Sequence, residues 1–143
     1  MTRDVFVTID GLQTLVGEGE APQPLSLSCT GTYYHKDGSH YVFYEERMED
    51  TDRVMKNRLR LQPDLLELKK TGDCSVHMIF EANKKNEASY RMPYGSLALV
   101  IDTKHVCLRE SDHHIHLSAS YALGLNGEKL SDCEIHIDIR PKN

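Results

Sequence analysis

Apolar and polar residues alternate along most of this chain. Val5, Val7 and Ile9 alternate with Phe6, Thr8 and Asp10. Met55, Asn57, Leu59 and Leu61 alternate with Lys56, Arg58 and Arg60. Cys74, Val76, Met78 and Phe80 alternate with Ser75, His77, Ile79 and Glu81. A period of two sends successive side chains to opposite faces, so each run predicts a strand with one apolar face. No window carries a helical period. Gly11 breaks the first run, and Leu12 and Leu15 follow out of phase; a glycine so placed marks a bulge or a bend. The predicted strands cover 3–16, 25–35, 39–47, 53–62, 65–69, 74–82, 87–92, 97–101 continued by 103–109, and a last pair carrying Ile115 to Leu123 and Cys133 to Ile139. Between them lie a polar loop from Gly17 to Pro24, an acidic turn at Glu49-Asp50-Thr51-Asp52, and turn signals at Asp37-Gly38, Pro63-Asp64, Thr71-Gly72-Asp73, Asn83-Lys84-Lys85-Asn86, Met92-Pro93-Tyr94-Gly95 and Asp112-His113.

Two hairpins carry enough pattern to predict register. Asp37-Gly38 favours a type I′ turn, with positive φ at both central residues. Lys36 then faces Ser39, Tyr33 faces Val42, Gly31 faces Tyr44 and Cys29 faces Glu46. One face collects Leu25, Leu27, Cys29, Gly31, Tyr33, Val42 and Tyr44 and ends on the carboxylate of Glu46. In the last hairpin, Ile115, Leu117, Ala119, Tyr121 and Leu123 share one parity, and Cys133, Ile135, Ile137 and Ile139 share the other strand's. A simple turn at Asn126-Gly127 would put these sets on opposite faces. A longer loop, Leu125-Asn126-Gly127 with Gly127 as a bulge, aligns them and predicts Ile115 opposite Ile137 and Leu117 opposite Ile135.

Successive strands joined by short turns, each with one apolar face, predict an all-β antiparallel meander. Closure into a barrel of about eight to ten strands removes the exposed edges such a meander would leave. At 143 residues the chain is read as one domain, 1–143, large enough to bury its own core.

Thr30-Gly31-Thr32-Tyr33-Tyr34, Tyr41 to Glu46, Met92-Pro93-Tyr94-Gly95 and Ser120-Tyr121 resemble a bacterial family of uncharacterised, YwiB-like proteins. The resemblance runs over nearly the whole chain and implies a calycin-like (lipocalin-like) β-barrel. It implies no activity, and barrels of this kind often hold a small apolar or amphipathic molecule.

A net charge of −5 argues against a dedicated nucleic-acid binder. The N-terminal sequence enters a strand pattern directly, without a signal-peptide profile, and no run approaches the ~20 apolar residues of a membrane-spanning helix. Cys29, Cys74, Cys107 and Cys133 are scattered, without metal or redox spacing. Free thiols and a cytoplasmic location are expected.

Candidate chemistry concentrates in two places. Tyr33, Tyr44, Glu46, Asn57, Tyr90 and Tyr121 lie on inward parities and would line a ligand pocket of apolar walls with a few polar groups. A carboxylate there needs a partner or a proton, which makes Glu46 a candidate acid or base. No catalytic constellation or cofactor motif is present. On the opposite, outer face the predicted register sets His116 against His136 and His114 against Asp138. Two or three imidazoles and a carboxylate could bind a divalent metal, although no metal is expected on a flat, solvated sheet face. Lys56, Arg58 and Arg60, with Lys69 and Lys70 on the next strand, could gather into a basic patch, but no aromatic residue lies within residues 53–70 to serve as a stacking platform.

Overall fold

The computed structural model describes residues 3–14, 23–47, 54–72, 74–93 and 95–142. The expected loop at 17–22, the acidic turn at 49–52, Asp73 and Tyr94 lie outside them. Ten strands follow in order: β1 (Asp4–Thr14), β2 (Gln23–Lys36), β3 (Ser39–Arg47), β4 (Val54–Gln62), β5 (Leu65–Thr71), β6 (Val76–Glu81), β7 (Lys84–Met92), β8 (Gly95–Ser111), β9 (His114–Leu125) and β10 (Glu128–Pro141). The described residues contain no helix. All strands belong to one antiparallel sheet in the order β6-β5-β4-β3-β2-β1-β10-β9-β8-β7. This is a meander whose first and last strands pair.

The barrel nearly closes. Its seam falls between two consecutive strands: β6 and β7, joined at Ala82 and Asn83, are the two ends of the sheet order. Among the described residues these ends meet through one bridge, between Ser75, just before β6, and Arg91 of β7, whose amides and carbonyls exchange hydrogen bonds of 2.9 and 2.8 Å. The turn here is shorter than the polar run suggested. Lys84 and Lys85 already pair with Thr103 and Asp102 of β8.

The alternation predicted the core well. Met55, Asn57, Leu59 and Leu61 are 4%, 2%, 1% and 0% exposed, while Lys56 on the other face is exposed. Val5, Val7, Leu66, Phe80, Ile101, Leu117, Ile137 and Ile139 fill the centre with no exposed surface. Each such side chain contributes roughly 1.5–3 kcal/mol on burial.

Bulges set the phase. Gly11 has φ of 88°, and the β1–β2 register shifts between Asp10 and Leu12. A Cβ at Gly11 would lie 1.9 Å from the carbonyl oxygen of Glu134, so the bulge also brings two backbones together. The two apolar runs expected at 97–101 and 103–109 are one strand, β8, with a bulge at Lys104 between Thr103 and His105.

The last hairpin corrects the predicted register. Ile139 faces Ile115, Ile137 faces Leu117 and Ile135 faces Ala119, two residues away from the expected pairing. Asn126 and Gly127, with φ of 50° and 88°, make a tight turn with Leu125 opposite Glu128. The extra residue sits further along, between Lys129 and Ser131, and restores the shared apolar face there. Parity was right because burial dictates it; the bulge position has no comparable signature in the side chains. The first hairpin matches its prediction from the turn as far as Thr32 and Phe43: Asp37 and Gly38 have φ of 51° and 80°, Lys36 pairs with Ser39, and Tyr33 pairs with Val42.

Candidate functional site

The β2–β3 ladder runs from Lys36–Ser39 to Thr32–Phe43 and stops. Past that point β2 stays with β1 as far as Gln23, while β3 stays with β4 as far as Arg47. The pairing expected between Gly31 and Tyr44, and between Cys29 and Glu46, therefore does not form. An open cleft of about 570 Å³ occupies the divergence, lined by Thr30, Gly31, Thr32, Phe43, Tyr44 and Asn57, with Asp4, Glu45, Lys56 and Lys142 at its rim. Gly31 stands where the strands part. A Cβ there would lie 2.8 Å from the Phe43 carbonyl oxygen and 3.3 Å from methyl groups of Val42 and Val7.

The deepest groups in this cleft are polar. Tyr44 and Asn57 are cross-strand partners, 4% and 2% exposed, and Asn57 faces Lys70 on its other side. The Asn57 amide nitrogen donates to the Met55 carbonyl at 3.4 Å, a long bond, and its side-chain oxygen has no hydrogen-bond partner. A buried acceptor left unmatched costs about 1–3 kcal/mol. Burial first, then the charges of Glu46 and Cys29, push the Tyr44 phenol far above its ordinary range, so it stays protonated. Burial and Glu46 likewise push the Cys29 thiol up. Glu46 has the partner its position called for: the ammonium of Lys70 lies 3.3 Å from Oε1. Lys70 shares the inward parity of Leu66 and Leu68, and that was the signal for it.

Tyr33 belongs to a separate arrangement. Its hydroxyl lies 2.6 Å from His40 Nδ1, and His40 Nε2 contacts the carboxylate of Glu110, which reaches across from β8. A neutral imidazole that accepts from the phenol at Nδ1 donates at Nε2 to the carboxylate. Burial lowers the His40 pKa, and neighbouring His35 lowers it further, against the opposing effect of Glu110. Burial and Glu110 raise that of Tyr33. Sequence reading passed over His40, although it shares the inward parity of Val42 and Tyr44.

Tyr121 packs edge-on against Phe80, with ring centroids 4.9 Å apart, and Tyr90 is partly buried against the core. The six tyrosine, glutamate and asparagine candidates thus do not line one chamber. Tyr44 and Asn57 line the cleft, Glu46 lies electrostatically close to Tyr44, and Tyr33, Tyr90 and Tyr121 lie outside its lining. Five other buried polar atoms among the described residues have no hydrogen-bond partner, and all belong to residues outside that lining: Asn86 Nδ2, Thr103 Oγ1, Arg58 Nε, Arg60 Nε and Glu46 Oε1, the last held only by its ion pair with Lys70.

The outer face differs from expectation in two ways. The basic residues do not form one patch: Lys70 turns inward to Glu46, and Arg58 and Arg60 both engage Glu67, which His77 also contacts at 3.1 Å. Burial alone would raise the Glu67 pKa, but the His77 hydrogen bond and the Arg60, Arg58 and His77 charges outweigh it and hold the carboxyl below its ordinary value. Among the histidines, the shifted register brings His116, not His114, opposite Asp138, and Ser118 opposite His136. His136 pairs with Glu134 at 2.8 Å.

No helix among the described residues is long and apolar enough to cross a membrane. No curated protein matches the sequence. The fold is similar to the crystal structure of the ywiB protein from Bacillus subtilis, with a TM-score of 0.76 over 99% of this chain and 93% of that one, at 16% identity. The model of a domain of unknown function, DUF1934, matches residues 7–137. The chain therefore belongs to the DUF1934 family, and its barrel is the architecture of a YwiB-like protein.

Proposed function

We propose that this protein is a cytoplasmic barrel that binds a small amphipathic molecule at the cleft between β2 and β3. One observation carries the reading: the cleft is floored by a 2% exposed asparagine whose carbonyl oxygen has no partner. An unmatched buried acceptor is a standing cost to the folded chain, and a ligand hydroxyl, amine or amide N–H would satisfy it. Phe43, 38% exposed, offers the apolar part of such a ligand a ring to lie against, and the rim supplies both signs of charge. The site is thus cut into the barrel wall, while aliphatic side chains fill the centre. The cytoplasmic assignment rests on four unpaired cysteines.

A ¹⁵N-resolved titration with small apolar amines and alcohols tests the location. Shifts should concentrate at Thr30 to Thr32, Phe43 to Glu45, and Lys56 and Asn57. Shifts confined to other strands, or none, would count against it.

A second reading, a protein-interaction module, has its own support. Tyr34, 45% exposed, stacks on Tyr41 at 5.3 Å and on Phe43 at 5.6 Å, and makes an aromatic strip on the outer wall. Tyr34→Ala would then remove a partner contact and leave ligand binding at the cleft intact.

A further inference from the structure

His114 and His116 are two residues apart on β9, so both project from the outer wall. Asp138 on β10 is the cross-strand partner of His116. His114 Nε2 and His116 Nδ1 lie 2.6 and 2.8 Å from the same carboxylate oxygen, and one ligand atom from each residue falls within 4.8 Å of the other two. All three side chains are partly buried, 37%, 30% and 25% exposed. We propose that they form a binding site for a divalent transition-metal ion of the Zn²⁺ class, independent of the cleft.

The donor chemistry fits. Two neutral imidazole nitrogens and a carboxylate suit Zn²⁺ and its neighbours and do not suit Mg²⁺ or Ca²⁺, which take oxygen. Metal–ligand bonds of about 2.0–2.2 Å in a tetrahedral arrangement set donor atoms roughly 3.3–3.6 Å apart. The nitrogens therefore need to withdraw from the oxygen by roughly 0.5–1 Å, within reach of side-chain rotation. Three protein donors leave a coordination position facing solvent, where water or a substrate atom would bind. His136 is near, with its ring 5.5 Å from that of His116, but its Nε2 is turned to Glu134. It stands outside the donor set. Arg109, opposite His116 on β8, and Arg140, two residues beyond Asp138, are exposed cations, and water screens their repulsion of a bound metal.

The test is calorimetric titration of ZnCl₂ into the untagged full chain, in a buffer that does not chelate. One ion per chain is expected. His116→Ala and Asp138→Asn should each weaken binding by about tenfold or more, the loss that removing even an outer-sphere partner can cause. His136→Ala should leave the affinity unchanged. His114→Gln gives a second route to the same answer should either variant lose its circular-dichroism signature. The proposal is overturned by an absence of saturable binding, by binding that survives all three ligand substitutions, or by an equal loss in His136→Ala.

Discussion

Tyr44 and Asn57 face each other across β3 and β4 at the bottom of the cleft, both almost fully buried, and the Asn57 side-chain oxygen has no hydrogen-bond partner. Polar groups in that position weaken a core unless something else requires them. Asn57→Leu keeps the approximate size and removes the unmatched acceptor. It is expected to leave stability unchanged or raise it by up to about 1 kcal/mol in urea unfolding, because deleting an unsatisfied polar group removes its desolvation cost. A loss of about 2 kcal/mol or more would show that the amide is a structural requirement of the barrel.

Gly11 makes the opposite case, a residue whose whole role is architectural. Its positive φ and the 1.9 Å approach of a built Cβ to the Glu134 carbonyl oxygen leave a side chain nowhere to go without moving β1 off β10. Gly11→Ala is expected to cost roughly 2–4 kcal/mol, in the tail of single substitutions. Urea midpoints for the two proteins check this, and a change below about 1 kcal/mol would mean that the β1–β10 contact yields easily.

His40 gives the barrel a pH dependence whose sign is fixed by burial. Its folded pKa lies below the ordinary value of 6.5, since burial and His35 outweigh the attraction of Glu110. A histidine depressed in the folded state binds its proton more readily when unfolded. Its stabilising contribution is therefore complete above about pH 6.5 and is lost as pH falls through the folded value. Denaturation curves across this range should show the wild type losing stability toward acid more steeply than His40→Gln. Equal slopes would contradict the assignment.

Sequence periodicity revealed the inward faces almost completely, because a barrel wall with one dry side enforces a strict period of two. Met55 to Leu61, Val76 to Phe80 and Ile135 to Ile139 all point as their parity requires. Positions along the wall were less legible. The two-residue turn and the bulge between Lys129 and Ser131 each moved the histidine pairing by one residue, and an extra residue in a strand leaves no mark in composition. The site was half legible. Tyr44, Asn57 and Glu46 stood on the inward parity, but the parting of β2 from β3 depends on how each strand pairs with its outer neighbour, which no local pattern records. Grouping Lys70 with the outer basic residues hid its inward place, and His40 drew no reading; their partners, Glu46 and Glu110, come from other strands.

Native mass spectrometry of the untagged protein as purified, beside the same sample denatured and beside Asn57→Leu, tests the cleft most directly. An excess organic mass is expected on the folded wild type, leaving on denaturation and absent from folded Asn57→Leu. The same mass retained by both proteins, or none on either, would contradict it.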